Sequence, residues 1–232
     1  MKVIGILGGS SDQSTADYYR LLNRTVRERL GGWNTAELLV NSLNFAKSER
    51  WVRQGLWDEA GADLAARARG LEAAGAELLI CCSNTLHRVA EVFTRGLGIP
   101  FLHIVDPTAA AIRQAGLRRV ALLGTKPVMS TDFLRRRYTE RFGVEILVPE
   151  SGEQDMVDRV IFDELCKGDF TPASKAAYLA LIDRLQERGA EGAILGCTEI
   201  PLLVKQTDRP AFPLFDTTAL HVAEAIRLSL GG

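Results

Sequence analysis

Hydrophobic and polar positions follow two patterns along this chain. Short, continuous apolar runs, which are typical of strands buried on both faces, recur between longer amphipathic stretches. We predict the following strands: Val3–Leu7, Leu78–Cys82, Phe101–Val105, Val120–Leu123, Ile194–Leu195 and Phe212–Phe215. Alternation of buried strands with helices predicts an α/β fold of parallel sheets flanked by helices.

Two of the amphipathic stretches carry helix boundary signals. One follows Ser14 and stops at Gly31-Gly32. In the other, Thr171 is expected to cap a helix that has Pro172 in its first turn and runs to Gly189. No low-complexity segment or long linker divides the sequence.

The first half of the chain also matches the second half. Three segments match in order, at offsets of 116, 114 and 110 residues. The pairs are Lys2–Gly9 with Arg118–Thr125, Gly75–Thr85 with Gly189–Glu199, and Ile104–Ala109 with Leu214–Ala219. Three matches in register predict two similar α/β lobes related by a pseudo-two-fold axis. The predicted lobes are residues 1–104 plus 217–232, and residues 105–216.

The second match places polar turns after two strands. One turn begins at Ser83 and the other at Cys197. Ligands of open parallel sheets bind beyond the carboxyl ends of the strands. If the lobes face each other, Ser83 and Cys197 approach one cleft from opposite sides. Racemisation needs this arrangement, because a proton leaves one face of a carbon and another returns to the opposite face.

Composition excludes several function classes. The 28 basic and 29 acidic side chains nearly cancel, which argues against nucleic acid or a membrane surface as the main partner. No apolar run approaches bilayer length and the amino end lacks a signal-peptide pattern, so we expect a cytoplasmic protein. Four cysteines without CxxC spacing favour free thiols over disulfides or zinc. Nothing in the sequence indicates a metal, nicotinamide, flavin or pyridoxal phosphate, so we expect no cofactor.

The chain resembles the cofactor-independent aspartate/glutamate racemase family. The motifs that carry the resemblance are Gly8-Gly9-Ser10-Ser11 with Ser14-Thr15 and Tyr18-Tyr19, Ser83-Asn84-Thr85-Leu86-His87, Leu123-Gly124-Thr125, and Gly196-Cys197-Thr198-Glu199-Ile200. The resemblance extends from the opening glycine-rich turn nearly to the last helix. It implies a two-lobed racemase that acts on a small acidic amino acid and forms a homodimer.

The resemblance also implies where the acid/base groups lie. In the family they stand before Asn-Thr and before Thr-Glu, and both are commonly cysteine; here they are Ser83 and Cys197. Because a hydroxyl is a far weaker acid than a thiol, we expect Cys197 to be the competent group and Ser83 its weaker partner. The reaction is then slow or strongly biased toward one enantiomer.

The other cysteines are interpreted from their positions. Cys82 should point to the strand face opposite Ser83, although a bulge would reverse this. It is therefore either a core residue or an auxiliary thiol. Cys81 and Cys166 lie in a strand and a helical pattern respectively, and we interpret both as structural.

Further residues are candidates for binding the amino acid. Strand-end donors for the α-carboxylate are Asn84, Thr85, Thr125 and Thr198, although such residues also favour ordinary turns and caps. By the resemblance, Arg53 and Lys167 could meet a distal carboxylate, or be solvated surface residues. Ser10, at a position that is often methionine in the family, is a further binding candidate.

Two residues are supporting candidates. His87 falls four residues after Ser83 and could orient or resupply its hydroxyl, or be a structural histidine. Glu199 could hold the local network or simply begin a helical turn.

Two other functions remain open at this point. One is a lyase or decarboxylase of the same superfamily that uses a single thiol, with Ser83, Thr85 and Thr125 as donors to an enolate oxygen. The other is a binding protein for an acidic ligand that has lost its activity. Ser83 in place of a second cysteine motivates the first alternative, and the substitutions at Ser10, Asp12 and Ser83 motivate the second.

Overall fold

The computed structural model describes residues 1–231 and contains two parallel sheets. The first has the order β2-β1-β3 and the second the order β5-β4-β6-β7. The strands are β1 Ile4–Gly8, β2 Leu38–Ser42, β3 Leu78–Cys81, β4 Arg119–Gly124, β5 Glu145–Leu147, β6 Ala193–Gly196 and β7 Leu214–Asp216. The predicted α/β class, with parallel sheets flanked by helices, is confirmed.

Helices occupy most of the chain between the strands. They are α1 Asp12–Leu30, α2 Phe45–Gln54, α3 Trp57–Ala73, α4 Ala90–Phe93, α5 Val105–Gln114, α6 Lys126–Ser130, α7 Phe133–Arg136, α8 Ser151–Asp163, α9 Pro172–Glu187, α10 Ile200–Leu203 and α11 Thr217–Ser229. Single 3₁₀ turns cover Thr85–Val89, Leu165–Lys167 and Gln206–Asp208, and a π-helical turn covers Arg137–Arg141. Thr171 caps α9 as predicted, whereas α1 is capped by Ser11, whose hydroxyl accepts the Ser14 N–H at 3.0 Å.

The described residues form two compact units. One consists of Met1–Ile104 with the chain from Thr218 onward, and the other of Val105–Thr217. In the first unit, α1 and α11 pack on one face of the sheet and α2, α3 and α4 on the other. In the second, α6, α8 and α9 pack on one face, and α5 contacts β7. Each sheet is therefore buried by helices of its own unit.

The strand pairings in the two sheets test the internal repeat of the sequence. Gly5 pairs with Leu79 in the first sheet, and Ala121 pairs with Ala193 in the second. These pairs reproduce the offsets of the first two sequence matches, which are therefore confirmed. The same register makes Ser83 the counterpart of Cys197.

The third match is wrong by three residues. Leu79 forms a bridge with Phe101, whereas its counterpart Ala193 pairs with Leu214, so Phe101 rather than Ile104 corresponds to Leu214. The predicted strand Phe101–Val105 is reduced to this single bridge, since Val105 already begins α5. Short, similar segments can be shifted in a sequence comparison, but hydrogen bonds in a ladder define one register.

Gly9 allows a close approach of two chain segments after β1. Its φ is +80°, and a Cβ there would lie 2.0 Å from the carbonyl oxygen of Leu43. That backbone cannot move freely, because the Leu43 N–H donates to the Gly8 carbonyl at 3.1 Å. This approach places the β1–α1 turn beside the end of β2.

We expect Gly9→Ala to lower the free energy of unfolding by about 3 kcal/mol or more, through backbone strain and steric overlap. Gly168→Ala is the matched control, since Gly168 has a φ of +83° and a ψ of +14° but no atom within 4 Å of its Cβ position. That control should lose only about 1–2 kcal/mol, the cost of an alanine in the left-handed helical region. Urea unfolding measures both, and equal losses would contradict the steric explanation.

Candidate active site

Two cysteines, Cys81 and Cys82, stand directly before Ser83 at the end of β3. Leu79 and Cys81 belong to the core cluster on one face of the sheet, and Ile80 and Cys82 belong to the cluster on the other. Burial raises the pKa of Cys81 to about 12 and that of Cys82 well above its usual value. Both thiols therefore stay protonated within the core. The structure favours the core-residue interpretation of Cys82.

Ser83 begins the turn that follows β3 and is half-buried. Its Oγ accepts the N–H of Leu86 at 3.3 Å, and its carbonyl oxygen lies 2.6 Å from Nδ1 of His87. Nε2 of His87 accepts the N–H of Ile104 at 3.2 Å. The two ring nitrogens of His87 thus contact main-chain groups, one in the Ser83 turn and one at Ile104.

The glycine-rich turn after β1 lies beside this segment. The hydroxyls of Ser10 and Ser14 donate to the carbonyl oxygen of Cys82 at 3.2 and 2.9 Å. Asn84 and Thr85 are buried in the turn itself. The first unit therefore brings together a set of predicted site residues: Ser10, Ser83, Asn84, Thr85 and His87.

Cys197 occupies the matching turn after β6. Its Sγ donates to Oε2 of Glu199 at 3.0 Å, and Oγ1 of Thr198 donates to the same oxygen at 2.7 Å. All three residues are buried. Burial, and next the Glu199 carboxylate, raise the pKa of Cys197 well above its usual value. Cys197 is thus a thiol at neutral pH, with a carboxylate in place to receive its proton.

Thr125 and Cys197 both lie at the carboxyl ends of neighbouring strands in the second sheet. Thr125 follows Gly124 of β4, which pairs with Gly196 of β6, and it is buried. Cys166 is partly buried and packs against the same hydrophobic cluster as Cys197. The second unit therefore brings together the predicted residues Thr125, Cys197, Thr198 and Glu199.

The two predicted cations lie on exposed positions. Arg53 is near the end of α2 and forms an ion pair with Glu49, with Nε and Oε1 separated by 3.6 Å. Lys167 ends a 3₁₀ turn before Gly168, which has a φ of +83°. Their contact with a distal carboxylate stays a prediction.

Comparison with known proteins identifies the family of the chain that carries these strand-end residues. The family model described as Asp/Glu/Hydantoin racemase matches residues 4–225. The chain belongs to this family. The resemblance predicted from the strand-end motifs is thereby confirmed.

Relatives in the racemase family include both sequences and solved structures. A glutamate racemase of Roseiflexus sp. is 30% identical over 171 residues, which cover 73% of this chain and 60% of that enzyme. A crystal structure from Yersinia pestis, described as a candidate Asp/Glu racemase, is 40% identical with a TM-score of 0.90 and covers 99% of this chain and 100% of that one. An aspartate racemase homologue from Pyrococcus horikoshii is 36% identical with a TM-score of 0.85 and the same coverage. The match to the Roseiflexus enzyme thus spans less than two thirds of its length, whereas both solved structures match over their full length.

Two further properties concern residues 1–231. None of their helices is long and apolar enough to cross a bilayer. Among these residues, no group of three or more His, Cys, Asp or Glu side chains is arranged to hold a metal ion.

The contact between Cys197 and Glu199 predicts how alkylation of Cys197 depends on pH. Because the Glu199 carboxylate raises the pKa of Cys197, Glu199→Gln should lower that pKa and shift alkylation of Cys197 by iodoacetamide to lower pH. Peptide mass spectrometry measures the rate at Cys197, with Cys166 in the same digest as the internal reference. An unchanged profile, or one shifted to higher pH, would contradict the assigned electrostatic effect.

Proposed function

We propose that this protein is a cofactor-independent racemase, an isomerase that acts on aspartate or glutamate. The observation that carries the proposal is the Cys197 thiol at the end of β6, hydrogen-bonded to the buried Glu199 carboxylate. Family membership supports the reaction class. The Roseiflexus relative is a glutamate racemase and the Pyrococcus horikoshii protein an aspartate racemase homologue, which supports an acidic amino acid as substrate.

Cys197 serves as the acid/base on one face of the α-carbon. It passes its proton to Glu199, and the resulting thiolate removes the α-proton of the substrate. The electron pair of the broken C–H bond moves into the carboxylate to give an enediolate. Transfer between Sγ and Oε2 needs no movement of either residue, because the two atoms are already 3.0 Å apart.

Ser83 returns a proton to the opposite face. Its O–H bond breaks as the new C–H bond forms, and the Leu86 N–H at 3.3 Å helps to stabilise the negative oxygen. Solvent then carries the proton held by Glu199 to Ser83, which restores both groups. The proposal requires the two turns to reach the same α-carbon from opposite faces.

The weakness of Ser83 has a defined kinetic consequence. The equilibrium constant for racemisation is unity, so kcat/KM is the same in both directions and a poor Ser83 slows both. Exchange of the α-proton without inversion needs only Cys197 and Glu199. It should therefore be faster than inversion, and only for the enantiomer whose α-proton faces Cys197.

Substrate binding is assigned to donors at the strand ends. Asn84, Thr85, Thr125 and Thr198 are buried and hold donors suited to the α-carboxylate. Arg53 and Lys167 would bind the distal carboxylate, which distinguishes an acidic substrate from a neutral one.

A racemisation assay tests the proposed function. L- and D-aspartate and L- and D-glutamate are each incubated with the purified protein without added cofactor, and chiral chromatography follows both enantiomers. We expect at least one of the two amino acids to approach an equal mixture from either side. Absence of inversion for both would contradict the assigned substrate class.

A further inference from the structure

The three histidines of the chain lie together in the first unit. His87, His103 and His221 are all buried, and the ring centroid of His87 lies 4.5 Å from that of His103 and 6.2 Å from that of His221. Nε2 of His221 donates to the Leu102 carbonyl oxygen at 3.0 Å, and its Nδ1 lies 2.8 Å from Tyr18 Oη. His87 contacts the turn that carries Ser83, with its Nδ1 2.6 Å from the Ser83 carbonyl oxygen.

The contacts of His87 define its protonation state. A main-chain N–H can only donate, so Nε2, which faces the N–H of Ile104, carries no proton. Nδ1 therefore carries the proton and donates to the Ser83 carbonyl at 2.6 Å. A neutral imidazole thus connects the Ser83 turn to the last residue of the first unit before the chain enters the second.

Holding the Ser83 carbonyl also orients the groups around it. The peptide unit between Ser83 and Asn84 is planar and trans, so a fixed carbonyl fixes the Asn84 N–H in the opposite direction. It also restricts the direction in which the Ser83 side chain leaves the backbone. Proton delivery depends on this direction, since a displacement of about 1 Å can lower a rate by about 100-fold.

The counterpart of His87 in the second unit has no side-chain donor. The register of β3 and β6 equates His87 with Pro201, and the side chain of Glu199 contacts that turn instead. The histidine contact is therefore specific to the half that carries the weaker acid/base group.

We propose that His87 is a positioning residue for Ser83, which holds the Ser83–Asn84 peptide unit so that the hydroxyl can complete inversion. This inference rests on the proposed racemase function. It predicts that the contact with the Ser83 carbonyl, rather than the contact with Ile104, determines the inversion rate.

Two substitutions separate these contacts. In His87→Asn, the side-chain amide N–H₂ can replace the Nδ1–H donor to Ser83, while the acceptor for Ile104 is lost. In His87→Gln, the amide oxygen can replace the Nε2 acceptor, while the donor to Ser83 is lost. Each variant therefore removes one of two main-chain hydrogen bonds.

The measured quantity is the ratio of inversion to α-proton exchange in deuterium oxide, for the enantiomer that exchanges faster. Both rates come from the same folded molecules, so the ratio does not depend on the folded fraction. We expect His87→Gln to lower the ratio by about 100-fold, and His87→Asn to restore most of it. His221→Gln, a matched buried histidine, should lower Tm but leave the ratio unchanged.

Other outcomes would overturn the inference. Equal ratios in both His87 variants, or a greater loss in His87→Asn, would show that the Ser83 carbonyl contact does not position the hydroxyl. A ratio lowered equally by His221→Gln would indicate a general packing effect. Absence of exchange in the unsubstituted protein would instead contradict the proposed function itself.

Discussion

Cys197→Ala is expected to lower α-proton exchange by about 10³-fold or more, because it removes the acid/base group that starts the proposed reaction. Exchange depends on the thiol on one face, so inversion should fall with it. Loss of one sulfur atom from a buried site should lower the free energy of unfolding by only about 1–2 kcal/mol. Nuclear magnetic resonance of the substrate α-proton in deuterium oxide measures the effect.

The matched control for this variant is Cys166→Ala. Cys166 packs against the same hydrophobic cluster as Cys197 but is not assigned an acid/base role. It should therefore change stability slightly and leave exchange intact. Full exchange in Cys197→Ala, or equal losses in both variants, would remove Cys197 from the mechanism.

Ser83→Cys is expected to raise the inversion rate by about tenfold or more. A thiol has an unperturbed pKa of about 8.5, so it exchanges protons near neutral pH far more readily than a hydroxyl. Ser83 is half-buried and is the counterpart of Cys197 in the strand register, so the new thiol occupies the equivalent position in the first unit. With two thiols, both enantiomers should exchange their α-proton rapidly.

Ser83→Ala completes this comparison. It should lose inversion while keeping exchange at the face served by Cys197, since that exchange requires only Cys197 and Glu199. Chiral chromatography gives inversion, and loss of the α-proton signal gives exchange. Inversion at the original rate in Ser83→Ala, or a lower rate in Ser83→Cys, would show that Ser83 is not the second acid/base group.

The central strands could be predicted from the sequence, whereas two strands at sheet edges could not. Strands β1, β4 and β6 lie inside the sheets, and β3 is flanked on its outer side by the bridge from Leu79 to Phe101; all four read as continuous apolar runs. The missed strand β2 ends in Asn41 and Ser42 and is mostly half-exposed, and β5 is only three residues long with its side chains exposed or half-exposed. Solvent contact allows polar residues at such edges, and the apolar signal disappears with them.

The residues of the candidate site could be named from the sequence, whereas their contacts could not. The strand-end motifs pointed to Cys197, Ser83 and their neighbours, because chemistry in parallel sheets gathers at the carboxyl ends. The hydrogen bond from Cys197 to Glu199 and the contact of His87 with the Ser83 carbonyl depend on side-chain rotamers. Sequence spacing does not determine rotamers. The relatives described here lend no support to the single-thiol lyase alternative.

The most direct test of the central claim is α-proton exchange by the unsubstituted protein. Purified protein is incubated with each enantiomer of aspartate and glutamate in deuterium oxide, with no cofactor added, and the α-proton signal is followed. We predict that the signal of at least one of these amino acids disappears, with exchange faster than inversion for one enantiomer. Retention of the α-proton in all four compounds would contradict the claim that Cys197 and Ser83 form a racemase site for acidic amino acids.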